Sequence, residues 1–245
     1  FKTEQERQAD AQERVQNLPL EHLVPFPKHP FQVNDDDKMQ ELVESIRERG
    51  VLVPILVRPK ENSEYEIIAG HRRNRASLLA GKTEIPAIVR DMDDDTAILL
   101  MVESNLQREE LLPSEKAFAY KMKLDAMKRQ AGRPTNNSAQ VGRNYDGKES
   151  RELLAEQVGE SRNQISRYIR LTNLVPMLLD QVDQKKIAFN AAVEVSYLTE
   201  QEQQMLCEII QREECTPSLN QARRLKKYSQ NGKLDENVMD VIMTE

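Results

Sequence analysis

The spacing of apolar positions changes near Pro113. Before it, short runs rich in β-branched residues, VLVPILVRP (51–59), YEIIAG (65–70) and EIPAIVRDM (84–92), predict strands. Around them lie stretches with apolar residues three and four apart. NDDDKMQELVESIRERG (34–50) predicts a helix with acidic residues at its start, Met39, Leu42, Val43 and Ile46 on one face, and Gly50 at its end. RASLLAG (75–81) predicts a short helix that stops at another glycine, and TAILLMVESNLQREEL (96–111) a longer one with Thr96 as its cap. LPLEHLVPFPKHPFQV (18–33) holds four prolines and predicts a short strand and an irregular loop. After Pro113 the strand pattern is gone. SEKAFAYKMKLDAMKR (114–129) predicts a helix with Ala117, Tyr120, Leu124 and Met127 on one face, and residues 150 to about 230 are helical in pattern.

This pattern predicts an α+β fold: a small mixed-sheet domain over 18–112, then an all-α domain over 113–230. Residues 1–17, rich in Glu, Gln and Arg, read as a polar tail, and 231–245 as the start of an amphipathic segment that looks cut off. No internal repeat is visible. QAGRPTNNSAQVGRNYDGKES (130–150) has no periodicity and reads as a long basic loop.

The chain has 245 residues, enough for two domains, with 38% apolar and 31% charged residues. No apolar run approaches the ~18 residues of a membrane span, no signal peptide is visible, and a chain opening on Phe1 is expected to lack its natural start. Cys207 and Cys215 lack metal-ligand spacing and are expected to be reduced thiols, in keeping with a cytoplasmic protein. The net charge of −6 is unevenly spread. Between residues 128 and 170 nine Lys/Arg stand against five Asp/Glu, a local +4 that leaves −10 elsewhere.

That basic segment contains SRELLAEQVGESRNQISRYIRL (150–171). Ala155, Gly159 and Ile165, four and six residues apart, fit a helix-turn-helix. Such a motif needs a small residue where two helices touch, a glycine for the left-handed turn and an apolar anchor on the second helix. Leu154, Val158 and Tyr168 fill other core positions, while Glu160 stands where an apolar residue is usual. The second helix then offers Ser161, Arg162, Asn163, Gln164, Ser166 and Arg167 as candidate DNA contacts. Arg pairs with guanine edges, and Asn or Gln with adenine, in the major groove. In the loop before it, Arg133 and Arg143 are candidates for the DNA backbone or minor groove, and AGRP (131–134) matches part of an AT-hook without its leading arginine.

A second signal lies in IIAGHRRNRASLLAG (67–81). A strand, a glycine and basic residues at a helix start make an anion site, because the helix N-terminus presents free N–H groups and positive potential. Gly70 allows close backbone approach, and Arg72, Arg73 and Arg75 can neutralise phosphate oxygens. GHRRNRA resembles the GERRxRA box of ParB-type chromosome and plasmid partition proteins. ERGVLVPILVRP (48–59) resembles the family segment that holds a cytosine ring, and VESNLQREELLPSEKAFAY (102–120) its ENLQREDLxPxEEAxAY box. With the helix-turn-helix at the expected distance, the resemblance covers roughly residues 18–230.

The resemblance implies a CTP-binding N-terminal domain, a central DNA-binding domain and dimerisation through a further C-terminal segment. It implies a homodimer that loads on double-stranded DNA at a short palindromic centromere-like site and closes into a sliding clamp with CTP and Mg2+. A ParA-type ATPase is the implied partner, and the nucleoid the implied location. By position, Gly70, Arg72 and Arg73 match the triphosphate ligands, 53–55 (Val53, Pro54, Ile55) the base-holding segment, and Asn105 the asparagine near phosphate and metal. His71 and Ser104 stand where the family has glutamates, and Glu103 is displaced by one position, about 100° around a helix. Slow CTP hydrolysis or none is expected.

Three other readings compete. Sulfiredoxins resemble the first domain but carry a cysteine in the phosphate turn, absent from Gly70-His71-Arg72. A nuclease needs clustered carboxylates, and the acidic runs at 35–37 and 93–95 sit at predicted helix starts, where acids serve as caps. A transcriptional regulator or nucleoid-occlusion protein without a segregation role shares the architecture.

Overall fold

A computed structural model describes residues 15–108, 110–131 and 150–244. Residues up to Gln107 and from Arg108 onward form two compact units.

The first unit is built on a five-stranded mixed sheet. Its strands are β1 (Val15–Pro19), β2 (Leu23–Pro25), β3 (Ile55–Pro59), β4 (Tyr65–Ala69) and β5 (Glu84–Val89), in the spatial order β1-β5-β3-β4-β2. β1 pairs antiparallel with β5, and β3 antiparallel with β4, whereas β5 with β3 and β2 with β4 run parallel. Leu18, Leu20, Ile55, Val57, Ile67, Ile85 and Ala87 form the apolar cluster of the sheet. Three helices accompany it: α1 (Asp37–Arg49), α2 (His71–Leu79) and α3 (Asp94–Leu106). α1 and α2 pack through Met39, Val43, Ile46 and Ala76, the apolar face expected for 34–50 with the small residue of α2 opposite it.

Several boundaries differ from expectation for identifiable reasons. Val15, Gln16 and Asn17, within the expected tail, are strand residues. Their side chains are exposed, so they look like tail, but their backbone pairs with β5. The run at 51–59 is extended into the sheet only from Ile55; Leu52 and Val53 stand out at 73% and 63% exposure, where an apolar run alone predicts burial. Thr96 is not the cap of its helix. Asp93 is, accepting from the Thr96 N–H at 2.8 Å, as a short carboxylate does at that position. The start of α3 is also tied to the sheet: Arg58, 7% exposed, donates to Glu66 and Asp94 at 2.6 and 2.7 Å, and Glu66 is 1% exposed. Removing either partner of such a buried pair would leave an uncompensated polar group in the interior.

The second unit is all helical among the described residues. Its helices are α4 (Pro113–Ala131), α5 (Ser150–Val158), α6 (Arg162–Leu171), α7 (Pro176–Asp183), α8 (Phe189–Val195), α9 (Glu200–Glu213), α10 (Leu219–Gln230) and α11 (Glu236–Thr244). One core runs through all of them except α5, from Ala117 by Leu171, Leu178, Leu206, Ile209 and Leu225 to Met239. α9 and α10 begin with reciprocal capping boxes, Thr199 with Glu202 and Ser218 with Gln221. Cys207 and Cys215 are free thiols.

Residues 236–244, expected as the start of a separate segment, place Met239, Ile242 and Met243 in this same core. The Gln221 amide donates to the carbonyls of Ile242 and Met243 at 3.0 and 3.1 Å, which satisfies the last turn of α11. Ile242 is 1% exposed, so Ile242→Ala is expected to destabilise the helical unit by ~2–4 kcal/mol. Urea unfolding followed by circular dichroism checks this; an unchanged midpoint would mean that α11 is an appendage.

Candidate nucleotide and nucleic-acid sites

The turn from β4 into α2 takes one residue. Gly70 has φ +105°, a conformation that strains any residue with a Cβ. A Cβ there would lie 2.6 Å from Ile55 Cγ2 and 3.1 Å from Arg73 Nη2. The backbone thus passes directly over β3 and delivers His71, Arg72 and Arg73 to the first turn of α2, with no side-chain cap at its N-terminus.

The three arginines of this helix diverge. Arg73 turns toward the chain before β3, where its Nη1 donates to the carbonyls of Val53 and Pro54 at 2.5 and 2.6 Å. Burial pulls its pKa below the usual guanidinium value. Arg72 and Arg75 turn the other way, to the acidic start of α1. Arg72 Nη2 donates to Asp36 at 3.1 Å, and Arg75 reaches both oxygens of Asp35, through Nε at 3.1 Å and Nη2 at 2.6 Å. These hydrogen bonds hold both aspartates below the usual carboxylate pKa.

His71 adds no charge here. Its ring stacks on His29 with centroids 3.8 Å apart, and its Nε2 is buried without a hydrogen-bond partner. Burial first, and the neighbouring imidazole second, push its pKa down to about 3.

Of the three base-site candidates, Ile55 is fully buried under Gly70, whereas Val53 and Pro54 present backbone carbonyls to Arg73. Glu103, Ser104 and Asn105 occupy the last turn of α3, the helix packed against β4. Ser104 Oγ and Asn105 Nδ2 each donate to the Met101 carbonyl at 2.9 Å. Asn105 therefore keeps its Oδ1 as the atom that could face a cation, a hard ligand of the kind Mg2+ takes. Among the described residues no cluster of three or more His, Cys, Asp and Glu could hold a metal ion.

His29, Asp35 and Asp36 were not legible as site residues. They lie 36 to 42 positions from their α2 partners, and acidic residues before a helix read as caps; Asp36 is indeed the cap of α1, accepting from Met39 N–H at 2.8 Å. The usable signal was charge complementarity between two helix starts.

In the second unit, α5 and α6 form the helix-turn-helix. Leu154 and Ile165 are fully buried, Ala155 is buried between the helices, and Gly159 takes φ +71° in the turn. The Glu160 N–H closes the end of α5 on the Ala155 carbonyl at 3.2 Å, and Ser161 caps α6 through the Gln164 N–H at 3.1 Å. Glu160, the unusual residue after the glycine, accepts from Tyr120 Oη at 3.1 Å and pairs with Lys116 at 3.4 Å. Burial, then this carboxylate, pushes the Tyr120 phenol up.

Opposite the buried face, α6 carries Arg162 and Asn163 exposed and Gln164, Ser166 and Arg167 half-buried. Arg167 donates to Gln164 and to Asn190, and its guanidinium lies 5.1 Å from the Phe189 ring centroid. Phe189 and Asn190 at the start of α8 therefore belong to this surface, a connection absent from the local pattern. Arg133 and Arg143 lie outside the described residues.

The family model for the ParB N-terminal domain matches residues 4–106, and that for the ParB HTH domain residues 146–240. A nucleoid occlusion protein of Geobacillus thermodenitrificans is 35% identical over 215 residues, 86% of this chain and 69% of that protein. The chain belongs to the ParB family. Another relative, the probable chromosome 1-partitioning protein ParB of Deinococcus radiodurans, is 37% identical over 185 residues, 76% of this chain and 57% of its own length. The chain thus spans about three-fifths of several ParB-family relatives. A crystal structure of C-terminally truncated ParB from Caulobacter crescentus complexed with CTP-gamma-S is also similar, with 28% identity over 76% of this chain and 94% of that one, at a TM-score of 0.37. The ParB fold class expected for both domains, a mixed-sheet α+β domain before an all-α helix-turn-helix domain, is the one found.

Two outcomes follow for the first domain. Gly70→Ala is expected to destabilise it by ~1–3 kcal/mol, from left-handed strain plus the Ile55 clash; a thermal melt that leaves the transition in place would refute the close approach. His71 is neutral in the folded state down to about pH 3, whereas in the unfolded chain it takes up a proton below the ordinary imidazole value of 6.5. The unfolded state therefore binds more protons between those values, and stability falls as pH drops through that window. His71→Gln should flatten this slope in urea melts run from pH 7 to pH 4.

Proposed function

We propose that this protein is a DNA-binding partition protein that recognises a palindromic centromere-like site as a homodimer. CTP bound at 70–73 with Mg2+ gates the closure of its N-terminal domains into a clamp on DNA. The observation that carries this reading is the joint presence, in one chain, of a glycine-gated basic helix start and a helix-turn-helix with a basic outer face. Membership of the ParB family supports it. A ParA-type ATPase is the partner this role calls for, and the nucleoid the place. Among the described residues no helix is long and apolar enough to cross a membrane.

In this reading the first turn of α2 and Arg72 hold phosphate oxygens, and Gly70 lets the backbone come close enough to do so. Arg73 has a double role. It faces the phosphates while bracing the carbonyls of Val53 and Pro54, so it ties the segment that holds the base to the helix that holds the phosphates. Val53 and Ile55 offer no side chain that can hydrogen-bond a base edge, so cytosine selectivity rests on backbone groups of 53–55. Asn105 Oδ1 is the candidate metal contact, with Glu103, the nearest carboxylate in sequence, two positions before it. His71, neutral and stacked, is poorly suited to position a water, and Ser104 donates to its own helix. CTP therefore acts chiefly as a switch ligand with slow turnover or none.

Calorimetry with CTP, Mg2+ and DNA tests this. CTP should bind in preference to ATP, GTP and UTP, and equal binding of all four would overturn the assignment. Arg73→Ala should abolish nucleotide binding and leave DNA binding intact. Arg73→Lys should rescue only part, because an ammonium is a point charge that cannot present a planar guanidinium fork to phosphate. On the DNA side, Arg162→Ala and Arg167→Ala should each cost ~1–3 kcal/mol and relax specificity at one position. Binding isotherms at physiological salt that match the unsubstituted protein for both variants would displace the helix-turn-helix as reader. Loss of Arg133 and Arg143 should weaken binding to all sequences and flatten its salt dependence.

A nucleoid-occlusion role is the second reading, favoured by the name of the Geobacillus relative. Replicon loss after deletion of the gene separates the two.

A further inference from the structure

Arg72 and Arg75 lie three positions apart on α2 and face the start of α1. Asp35 receives Arg75 as a two-pronged fork, with Nε to one oxygen at 3.1 Å and Nη2 to the other at 2.6 Å. A guanidinium takes a phosphate in the same geometry. Asp36 Oδ1 is shared between Arg72 at 3.1 Å and the Met39 N–H at 2.8 Å. The apolar contact of Met39, Val43 and Ile46 with Ala76 fixes α1 against α2, so the carboxylates are held in place rather than drifting. All four side chains remain in contact with water, between 28% and 48% exposed. Such ion pairs are weak and exchange readily.

We propose that Asp35 and Asp36 are a built-in competitor for phosphate: their carboxylates occupy the guanidinium groups of Arg72 and Arg75 that an incoming polyphosphate would otherwise take. The inference rests on the nucleotide reading of the 70–73 turn. It makes the acidic start of α1 the element that sets nucleotide affinity. Arg73, which is committed to the carbonyls of Val53 and Pro54, stays outside the competition. Release of Arg72 leaves α1 intact, because Asp36 keeps its capping bond to Met39.

The test is a calorimetric titration of the full chain with Mg2+–CTP and, separately, with inorganic triphosphate. The variants are Asp35→Asn, Asp35→Asn/Asp36→Asn, Arg75→Ala and Arg75→Ala/Asp35→Asn. Asparagine caps a helix as well as aspartate does, so the charge is removed and the cap kept; a thermal melt confirms folding, and Asp35→Asn alone touches no cap. The double asparagine variant should bind about three- to tenfold tighter than the unsubstituted protein. In the Arg75→Ala background Asp35→Asn should give no gain. Unchanged or weaker binding by the asparagine variants, with the unsubstituted protein binding CTP, overturns the competitor and leaves the nucleotide reading standing. Failure of CTP to bind, with triphosphate binding and showing the asparagine gain, overturns the nucleotide reading and keeps the competitor. Failure of both ligands to bind overturns both.

Discussion

The first domain depends on the absence of one carbon atom. At Gly70 the chain must leave β4 and begin α2 while passing over Ile55, and a Cβ would come within 2.6 Å of that side chain. The constraint propagates in both directions. Because α2 starts at His71 rather than a turn later, Arg73 falls where its guanidinium reaches back to the Val53 and Pro54 carbonyls. Those carbonyls belong to a stretch with no strand partner, so this one side chain substitutes for sheet hydrogen bonds in holding it. Arg72 and Arg75, on the opposite side of the same turn, reach the α1 start instead. Three cations so close in sequence would repel if they shared a surface. Dispersing them over two sets of oxygens relieves that repulsion.

In the helical domain an analogous economy runs through residues outside the motif. Glu160 breaks the usual apolar pattern after the turn glycine, and α4 supplies Tyr120 and Lys116 to receive it. Arg167 projects from α6, and α8 supplies Asn190 and Phe189 to receive it. A helix-turn-helix is only two helices, too small to bury its own core. The flanking helices that complete the core also position polar side chains at its edges, so Arg167 is already held in one arrangement and has less rotamer freedom left to lose to a partner.

How much of this could be read in advance follows from sequence separation. Gly50, Gly70 and Gly159 were legible because a positive φ at a helix boundary is a local requirement. The strands at 65–69 and 84–89 were legible because Ile67, Ile68, Ile85 and Ala87 are buried, which leaves an apolar signature. β1 was partly missed because an edge strand with exposed Val15, Gln16 and Asn17 bonds only through its backbone, which has no side-chain signature. The overlong strand at 51–59 fails for the converse reason: Leu52 and Val53 are apolar yet exposed. The α1–α2 ion pairs and the His29–His71 stack bridge 36 to 42 positions, and no periodicity encodes a contact at that range. Only the types were visible there, cations on one helix start and acids on another.

His71 shows why residue type alone misleads at such a site. A histidine among three arginines reads as a fourth cation for phosphate. Its ring instead stacks on His29 with Nε2 buried and unpartnered, and burial drives its pKa to about 3. Charging it would place a cation beside a second imidazole, with its Nε2 buried and without a hydrogen-bond partner. The neutral form is the one this environment tolerates. The ring then serves as an apolar plate that joins the 26–34 loop to the first turn of α2. A carboxylate in that position would instead repel phosphate unless a cation bridged them. Under the proposed nucleotide reading, a neutral histidine where the family has a glutamate favours anion binding over metal-assisted chemistry, next to the one residue, Gly70, whose backbone admits no side chain.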